Sequence, residues 1–182
     1  MRKIFTIAMT LAMLLTSSCI YSNVPVYEND FIVKVGDQAP DFEIELIDGQ
    51  KVRLSDLKGR IVMLQFTASW CGVCRREMPE IEKQIWQPHK DDAGFVLIGI
   101  DRDEPLETVR KFMQQTKVTY PLGLDPDALI FSKYALKDAG ITRNILIDEN
   151  GKIVRVTRSF KEDEFKALAD DITARLKELS GK

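Results

Sequence analysis

The stretch Trp70-Cys71-Gly72-Val73-Cys74 stands where an apolar run, Ile61 to Phe66, gives way to a helical pattern. Two residues between the cysteines, on the first turn of a helix, bring the sulfurs close enough to bond. The same placement sets Cys71 against backbone N–H groups that lack carbonyl partners, and these donors favour thiolate over thiol. The pattern predicts a thiol redox site in which Cys71, with a depressed pKa, is the nucleophile and Cys74 resolves the mixed disulfide.

Two other uses of the cysteine pair stay open at the level of sequence. A structural staple is one, although closing so small a loop would restrict the unfolded chain very little. A metal-binding or metal-delivery module is the other: the two thiols would grip a soft ion, and zinc would need two further ligands. We expect no metal and no cofactor other than the redox-active Cys71–Cys74 disulfide itself.

The N-terminus has the pattern of an export signal. Arg2 and Lys3 precede an apolar run, Ile4 to Leu15, which is too short to span a bilayer, and small residues follow before Cys19. The arrangement is similar to a bacterial lipoprotein signal, with Thr16 where such signals usually carry leucine. We therefore expect residues 1–18 to be removed and Cys19 to carry lipid, which would anchor the protein to the cell envelope. An ordinary signal cleaved nearby is the alternative.

Length and charge restrict the remaining possibilities. Residues 19–33 lack clear periodicity and are predicted to be a tether, which leaves 34–182 as one domain large enough to bury its own core. Acidic side chains number 28 against 26 basic ones, for a net charge of −2. A nucleic-acid partner is therefore not indicated.

Apolar periodicity outlines an alternation of strands and helices. Two hairpins are predicted, Phe42–Leu46 with Val52–Leu54 and Ile145–Ile147 with Ile153–Val156, together with buried strands at 61–66 and 95–100. Helices are predicted from the cysteine motif to just before Pro88, from near Pro105, over Ala128–Leu136 and at the C-terminus. This order gives a layered α/β sandwich around a mixed sheet.

Three segments resemble one known family. They are Val35-Gly36-Asp37-Gln38-Ala39-Pro40-Asp41-Phe42, Leu54-Ser55-Asp56-Leu57-Lys58-Gly59 and the run from Phe66 to Pro79 that contains the cysteines. Over residues 34–180 the chain resembles the TlpA/ResA group of extracytoplasmic thioredoxin-like oxidoreductases, and its opening is shared with the AhpC/TSA-related peroxiredoxins. The resemblance implies a thioredoxin-like three-layer α/β/α sandwich with an N-terminal β-hairpin extension.

The same resemblance implies what the protein acts on and where. The implied activity is exchange of disulfides with extracytoplasmic proteins, commonly in the reducing direction, with a membrane protein as electron donor. The expected location is the extracytoplasmic side of the envelope, which is the periplasmic side in a Gram-negative cell. A peroxiredoxin-like peroxide reductase is a further alternative, but the slot three residues before Cys74, where that chemistry needs threonine or serine, holds Cys71.

Thr142 departs from the family pattern. In the family a cis-proline faces the dithiol at this place, and a cis bond before threonine costs roughly 3–4 kcal/mol. We therefore expect a trans bond. Threonine also adds an N–H and a hydroxyl, either of which could donate to the Cys71 thiolate and lower its pKa. The absence of the proline ring could also let a metal approach the sulfurs. An ordinary loop threonine is the alternative.

Proton transfer is predicted to depend on Glu77. Gln65 stands where many thioredoxins have a buried aspartate, and it cannot titrate. Glu77 lies one helical turn after Cys74, where the TlpA/ResA group carries glutamate, and is predicted to be the general acid and base for the Cys74 sulfur. A solvated helix glutamate is the alternative.

Several flanking residues are weaker candidates. Trp70 is predicted to shield Cys71 and to contact a docking protein. Arg143, on the substrate-facing loop beside Thr142, is predicted to form a cationic rim with Arg75. The charge cluster 101–104 is interpreted first as the start of a helix.

Overall fold

The computed structural model describes residues 24–181, so the predicted signal peptide and Cys19 lie outside the described residues. The predicted N-terminal hairpin is present, with β1 at Glu43–Leu46 antiparallel to β2 at Lys51–Arg53. Gly49 makes the turn between them with a φ of 88°, a conformation that costs glycine little. None of the described helices is long and apolar enough to cross a membrane.

Three parallel strands form the centre of the sheet. β3, at Ile61–Thr67, is buried along its whole length and pairs with β4 at Phe95–Arg102. β4 pairs in turn with β5 at Leu122–Asp125. β5 is not evident from the sequence, because four residues between Pro121 and Pro126 are too few to show a periodic pattern.

Two antiparallel strands complete the far side of the sheet. β6, at Arg143–Ile147, pairs with β3, and β7, at Ile153–Arg158, pairs with β6 as the predicted second hairpin. The strand order is β2-β1-β5-β4-β3-β6-β7. The N-terminal segment binds the outer edge of β7, where the Gly36 N–H donates to the Ile153 carbonyl and the Ile153 N–H donates to the Asp37 carbonyl. The mixed sheet predicted from the sequence is confirmed.

Three helices of ten or more residues accompany the sheet within residues 24–181. α1 spans Gly72–Ile81, α2 spans Leu106–Thr116 and α3 spans Glu162–Ser180. The prediction that the first helix ends before Pro88 is wrong, because a π-helical segment, Glu82–Trp86, continues α1 into a last turn at Gln87–His89. Pro88 is the second residue of that last turn.

The two faces of β3 are covered differently. Gln65 and Thr67 face α1, where they bind Glu77 and Met78, and Phe66 points to the opposite face, where its ring contacts Phe131 and Tyr134. A continuous helix predicted over Ala128–Leu136 is wrong. The segment instead forms two 3₁₀ turns, Pro126–Ala128 and Phe131–Lys133.

Local backbone chemistry explains why no α-helix forms there. Asp127 and Ala128 have φ values of 63° and 54°, which end any right-handed helix. The Asp125 carboxylate accepts the N–H groups of Ile130 and Phe131, so these donors need no helical partner. The aromatic side chains of this segment nevertheless cover the sheet as a helix would.

The predicted domain boundary at residue 34 lies too late in the chain. Phe31 and Val33 belong to the buried core, and Phe31 forms a β-bridge with Ala135. The Ile32 N–H also donates to the carbonyl of Tyr134. Burial of alternate residues therefore attaches the last part of the predicted tether to the domain.

Candidate active site

The two cysteines lie at the start of α1, just beyond the carboxyl end of β3. Cys71 is the N-cap residue of the helix, and its Sγ accepts the N–H of Cys74 at 3.1 Å. The sulfurs are bonded to each other, with Cα atoms 5.3 Å apart. Cys71 is 7% exposed and Cys74 is fully buried. This is the order of exposure that the predicted nucleophile and resolving thiol require.

Thr142 lies directly against the dithiol. Its Oγ1 is 3.1 Å from the Cys71 sulfur and 3.2 Å from the Cys74 sulfur. The peptide bond before Thr142 is trans, as expected, since residues 24–181 contain no cis peptide bond. The loop before β6 therefore places a hydroxyl where the related family has a ring without a donor.

Glu77, three residues after Cys74 on α1, lies at the centre of a buried polar network. Its carboxylate accepts from Asn144 Nδ2 at 2.8 Å and from Gln65 Nε2 at 3.4 Å, and Tyr120 donates its hydroxyl to Gln65 at 2.7 Å. Burial raises the pKa of Glu77 to about 7, against the lowering effect of these hydrogen bonds. The alternative of a solvated helix glutamate is wrong, because the side chain is buried.

Two members of this network were missed by the sequence analysis. Asn144 stands two residues after Thr142, and strand alternation would have placed both on one face of the sheet. Tyr120 gives no comparable signal, because it reaches Gln65 from the loop before β5 across 55 positions of sequence.

Glu77→Gln is expected to stabilise the protein by about 3 kcal/mol near pH ~8. The folded state holds the Glu77 proton more tightly than the unfolded state, because the folded pKa is about 7 against an ordinary 4.5. The contribution of Glu77 to stability is therefore complete below the lower value and lost as pH rises to the higher one. Urea unfolding of both proteins across this range measures the difference, which should vanish at the acidic end.

The control for this experiment is Glu178→Gln, because Glu178 is an exposed glutamate on α3. It removes the same charge without touching the network. A Glu77→Gln curve parallel to wild type at every pH would contradict the assigned proton affinity.

Trp70 is accessible, as a docking contact would require. Its side chain is 61% exposed, although it immediately precedes the buried dithiol. The guanidinium carbon of Arg102 lies 5.6 Å from the Trp70 ring centroid, within cation–π range. The exposed Trp70 ring thus offers an apolar surface beside Cys71, and Arg102 packs against that ring.

The predicted cationic rim is wrong. Arg143 is fully buried, donates from Nε to the Gly140 carbonyl, and packs its guanidinium 4.3 Å from the Phe31 ring centroid. The reason is strand alternation, since the residue after Thr142 points to the other face of the sheet. Arg75 is exposed, but its Nε binds the Ser69 carbonyl and its Nη1 binds Gln115. Arg143 is therefore not a substrate-facing side chain.

The acidic residues at the end of β4 and just after it do more than begin a helix. Glu104 accepts both the backbone N–H and the hydroxyl of Ser69, so it anchors the segment that leads to the cysteines. Asp101 is fully buried, and burial together with the charge of Glu104 raises its pKa to about 8. The helix-start interpretation is thus wrong for these two side chains, and α2 begins only at Leu106, after Pro105.

The structure adds no metal ligands to the cysteine pair. Within residues 24–181, no three or more histidine, cysteine, aspartate or glutamate side chains are grouped so as to hold a metal ion. The Thr142 hydroxyl lies 3.1 and 3.2 Å from the two sulfurs. The metal-module alternative gains no further support from this arrangement.

Comparison with known proteins bears on both fold and activity. The family model described as Redoxin matches residues 34–172. Thiol-disulfide oxidoreductase ResA of Bacillus cereus is 32% identical over 122 residues, which cover 67% of this chain and 68% of that protein. ResA of Halalkalibacterium halodurans is 32% identical over 136 residues, covering 75% and 74%.

A solved structure agrees with these relatives. The solution structure of a candidate protein disulfide isomerase from Bacteroides thetaiotaomicron is 65% identical and superposes with a TM-score of 0.80. The match covers 81% of this chain and 93% of that one. The similarity therefore extends over nearly the whole described fold.

Proposed function

The chain belongs to the Redoxin family and is a thiol-disulfide oxidoreductase, and on that premise we propose that it reduces disulfides of extracytoplasmic proteins while tethered to a membrane. The observation that carries the chemistry is the Cys71–Cys74 pair at the start of α1, with the Cys74 N–H donated to the Cys71 sulfur. The reducing direction is supported by resemblance to the TlpA/ResA group. The tether is supported by the signal-like N-terminus and by Cys19.

The proposed reaction has two thiol exchanges. The Cys71 thiolate attacks one sulfur of a substrate disulfide, forms a mixed disulfide and releases the other substrate sulfur as a thiolate. The Cys74 thiolate then attacks the Cys71 sulfur, so the Cys71–Cys74 bond forms and the second substrate sulfur leaves. Two electrons pass to the substrate, and a dithiol donor at the membrane must return them.

Helix geometry supports the choice of Cys71 as nucleophile. The Cys74 N–H and the N-terminal end of the α1 dipole both favour negative charge on the Cys71 sulfur. Cys74 is fully buried, so the sulfur it attacks is that of Cys71 once Cys71 is bonded to the substrate. Intramolecular placement of this kind favours release of the reduced substrate.

Glu77 is proposed as the proton carrier for the Cys74 thiol. A general acid or base works best when its pKa is near the working pH, and burial brings that of Glu77 to about 7. Asn144 and Gln65 fix the carboxyl group by hydrogen bonds to its two oxygens. Neither amide titrates, so the proton stays with Glu77.

The direction of electron flow is tested by the reduction potential. A reductant is expected to have a midpoint nearer to thioredoxin, at about −270 mV, than to the oxidant DsbA, at about −120 mV. The protein is equilibrated with glutathione buffers of graded composition, and free Cys71 and Cys74 are trapped and counted by mass. A midpoint close to that of DsbA would contradict the reductant role and leave the exchange chemistry itself intact.

A further inference from the structure

A single hydroxyl serves both sulfurs of the site. Thr142 Oγ1 lies within hydrogen-bond distance of Cys71 Sγ and of Cys74 Sγ, at 3.1 and 3.2 Å. Among the contacts of the described residues, these sulfurs are the hydrogen-bond partners of that hydroxyl. A buried hydroxyl without a hydrogen-bond partner is costly, so the Thr142 hydroxyl donates its hydrogen bond to one sulfur or the other.

The backbone of Thr142 is held in place independently of the sulfurs. The Thr142 carbonyl accepts the N–H of Ser159, at 3.0 Å, and Nη1 of Arg158, at 3.4 Å. These bonds hold the backbone that carries the Thr142 side chain, while the hydroxyl proton can turn about its C–O bond. Rotation of one hydroxyl is enough to change which sulfur receives the bond.

We propose that Thr142 is a catalytic residue that donates its hydroxyl hydrogen bond first to Cys71 and then to Cys74 in the two exchange steps. This inference rests on the proposed exchange function and deepens it. A hydroxyl has one proton and directs it to the more negative acceptor. In the reduced protein that acceptor is the Cys71 thiolate.

The bond changes sulfur when the first exchange is complete. Attack on the substrate disulfide breaks its S–S bond and joins Cys71 Sγ to one substrate sulfur, so Cys71 becomes neutral and the other substrate sulfur leaves as a thiolate with the electron pair. Once Cys74 has lost its proton to Glu77, its thiolate is the negative acceptor and receives the Thr142 hydrogen bond. Cys74 then attacks Cys71 Sγ, and the bond from Cys71 to the substrate breaks. The departing substrate thiolate takes up a proton, which balances the one that Cys74 gave to Glu77. No other oxidant or reductant is consumed.

Substitutions of Thr142 by side chains of similar size separate the role of its hydroxyl from the role of its packing. Thr142→Val keeps the branched shape and removes the hydroxyl, whereas Thr142→Ser keeps the hydroxyl and removes a methyl group. All variants carry Cys19→Ser in the full chain, so that Cys71 and Cys74 are the only thiols left to titrate. Thermal unfolding shows whether each variant is folded, and Thr142→Ala replaces Thr142→Val if the latter is not.

The readouts follow each sulfur separately. The ultraviolet absorbance of the thiolate against pH reports Cys71 in the reduced protein. Rapid mixing with a disulfide peptide then gives the rate of mixed-disulfide formation and the rate of its resolution. We expect Thr142→Val to raise the pKa of Cys71 and to slow both steps by about tenfold, while Thr142→Ser stays near wild type.

Each outcome decides between the alternatives. Equal rates for Thr142→Val and its parent would overturn the proposal, and slowing of the first step alone would overturn the transfer to Cys74. Equal losses in the valine and serine variants would assign the effect to packing. Failure of the exchange function itself would show differently, as retained activity after Cys71→Ser.

Discussion

Cys71→Ser is expected to abolish disulfide reduction, with a loss on the order of a thousandfold or more. Serine fits the N-cap position and accepts the same Cys74 N–H, so the helix start is preserved while the nucleophilic thiolate is lost. Insulin reduction with a chemical dithiol as electron donor measures the effect. Retention of activity would disprove the assignment of Cys71 and the proposed exchange reaction with it.

Cys74→Ser is the matched variant, and its expected result is different. Cys71 still attacks a substrate disulfide, but no second thiol is available to release the product. The mixed disulfide should therefore accumulate in stoichiometric amount and be visible by mass. Turnover without accumulation would mean that a thiol outside this pair resolves the intermediate.

Phe66→Ala is expected to lower the free energy of unfolding by about 3–5 kcal/mol. The ring is fully buried on the face of β3 opposite α1, with its centroid 5.4 Å from that of Phe131 and 5.5 Å from that of Tyr134. Removal of the ring leaves a cavity under the two 3₁₀ turns, Pro126–Ala128 and Phe131–Lys133. Urea unfolding at constant pH measures the loss.

Leu129→Ala is the control for that experiment. Leu129 belongs to the same segment but is 64% exposed, so its truncation should change stability by less than about 0.5 kcal/mol. Similar values for the two variants would show that the segment does not pack on the sheet. The aromatic cover described for that face of β3 would then be wrong.

Local patterns were enough to predict most of the fold. The two hairpins, the buried strands β3 and β4 and the final helix each show their own periodicity or turn residues. The missing strand β5 and the wrong helix at 128–136 have the opposite character. There the backbone is decided by Asp125, which binds two N–H groups across a turn, and by positive φ values that no hydrophobic pattern indicates.

Prediction of the site succeeded where spacing carries the chemistry. Cys71 and Cys74 are defined by their separation, and Thr142 was placed against them by the family resemblance. The surroundings of Glu77 and Arg143 depend on distant segments. Burial of Glu77 needs Asn144 from β6, and burial of Arg143 needs Phe31 from a region predicted to be a tether.

The attachment of residues 36–37 to β7 has a consequence for crowding. An exposed strand edge is a template on which a second copy can add its own backbone, which is a route to aggregation. Here the chain occupies part of that template itself, at Ile153, while the opposite outermost strand, β2, is only three residues long and bears the exposed cation Lys51. Both flanks thus discourage the stacking of one copy of the chain against another at a sheet edge.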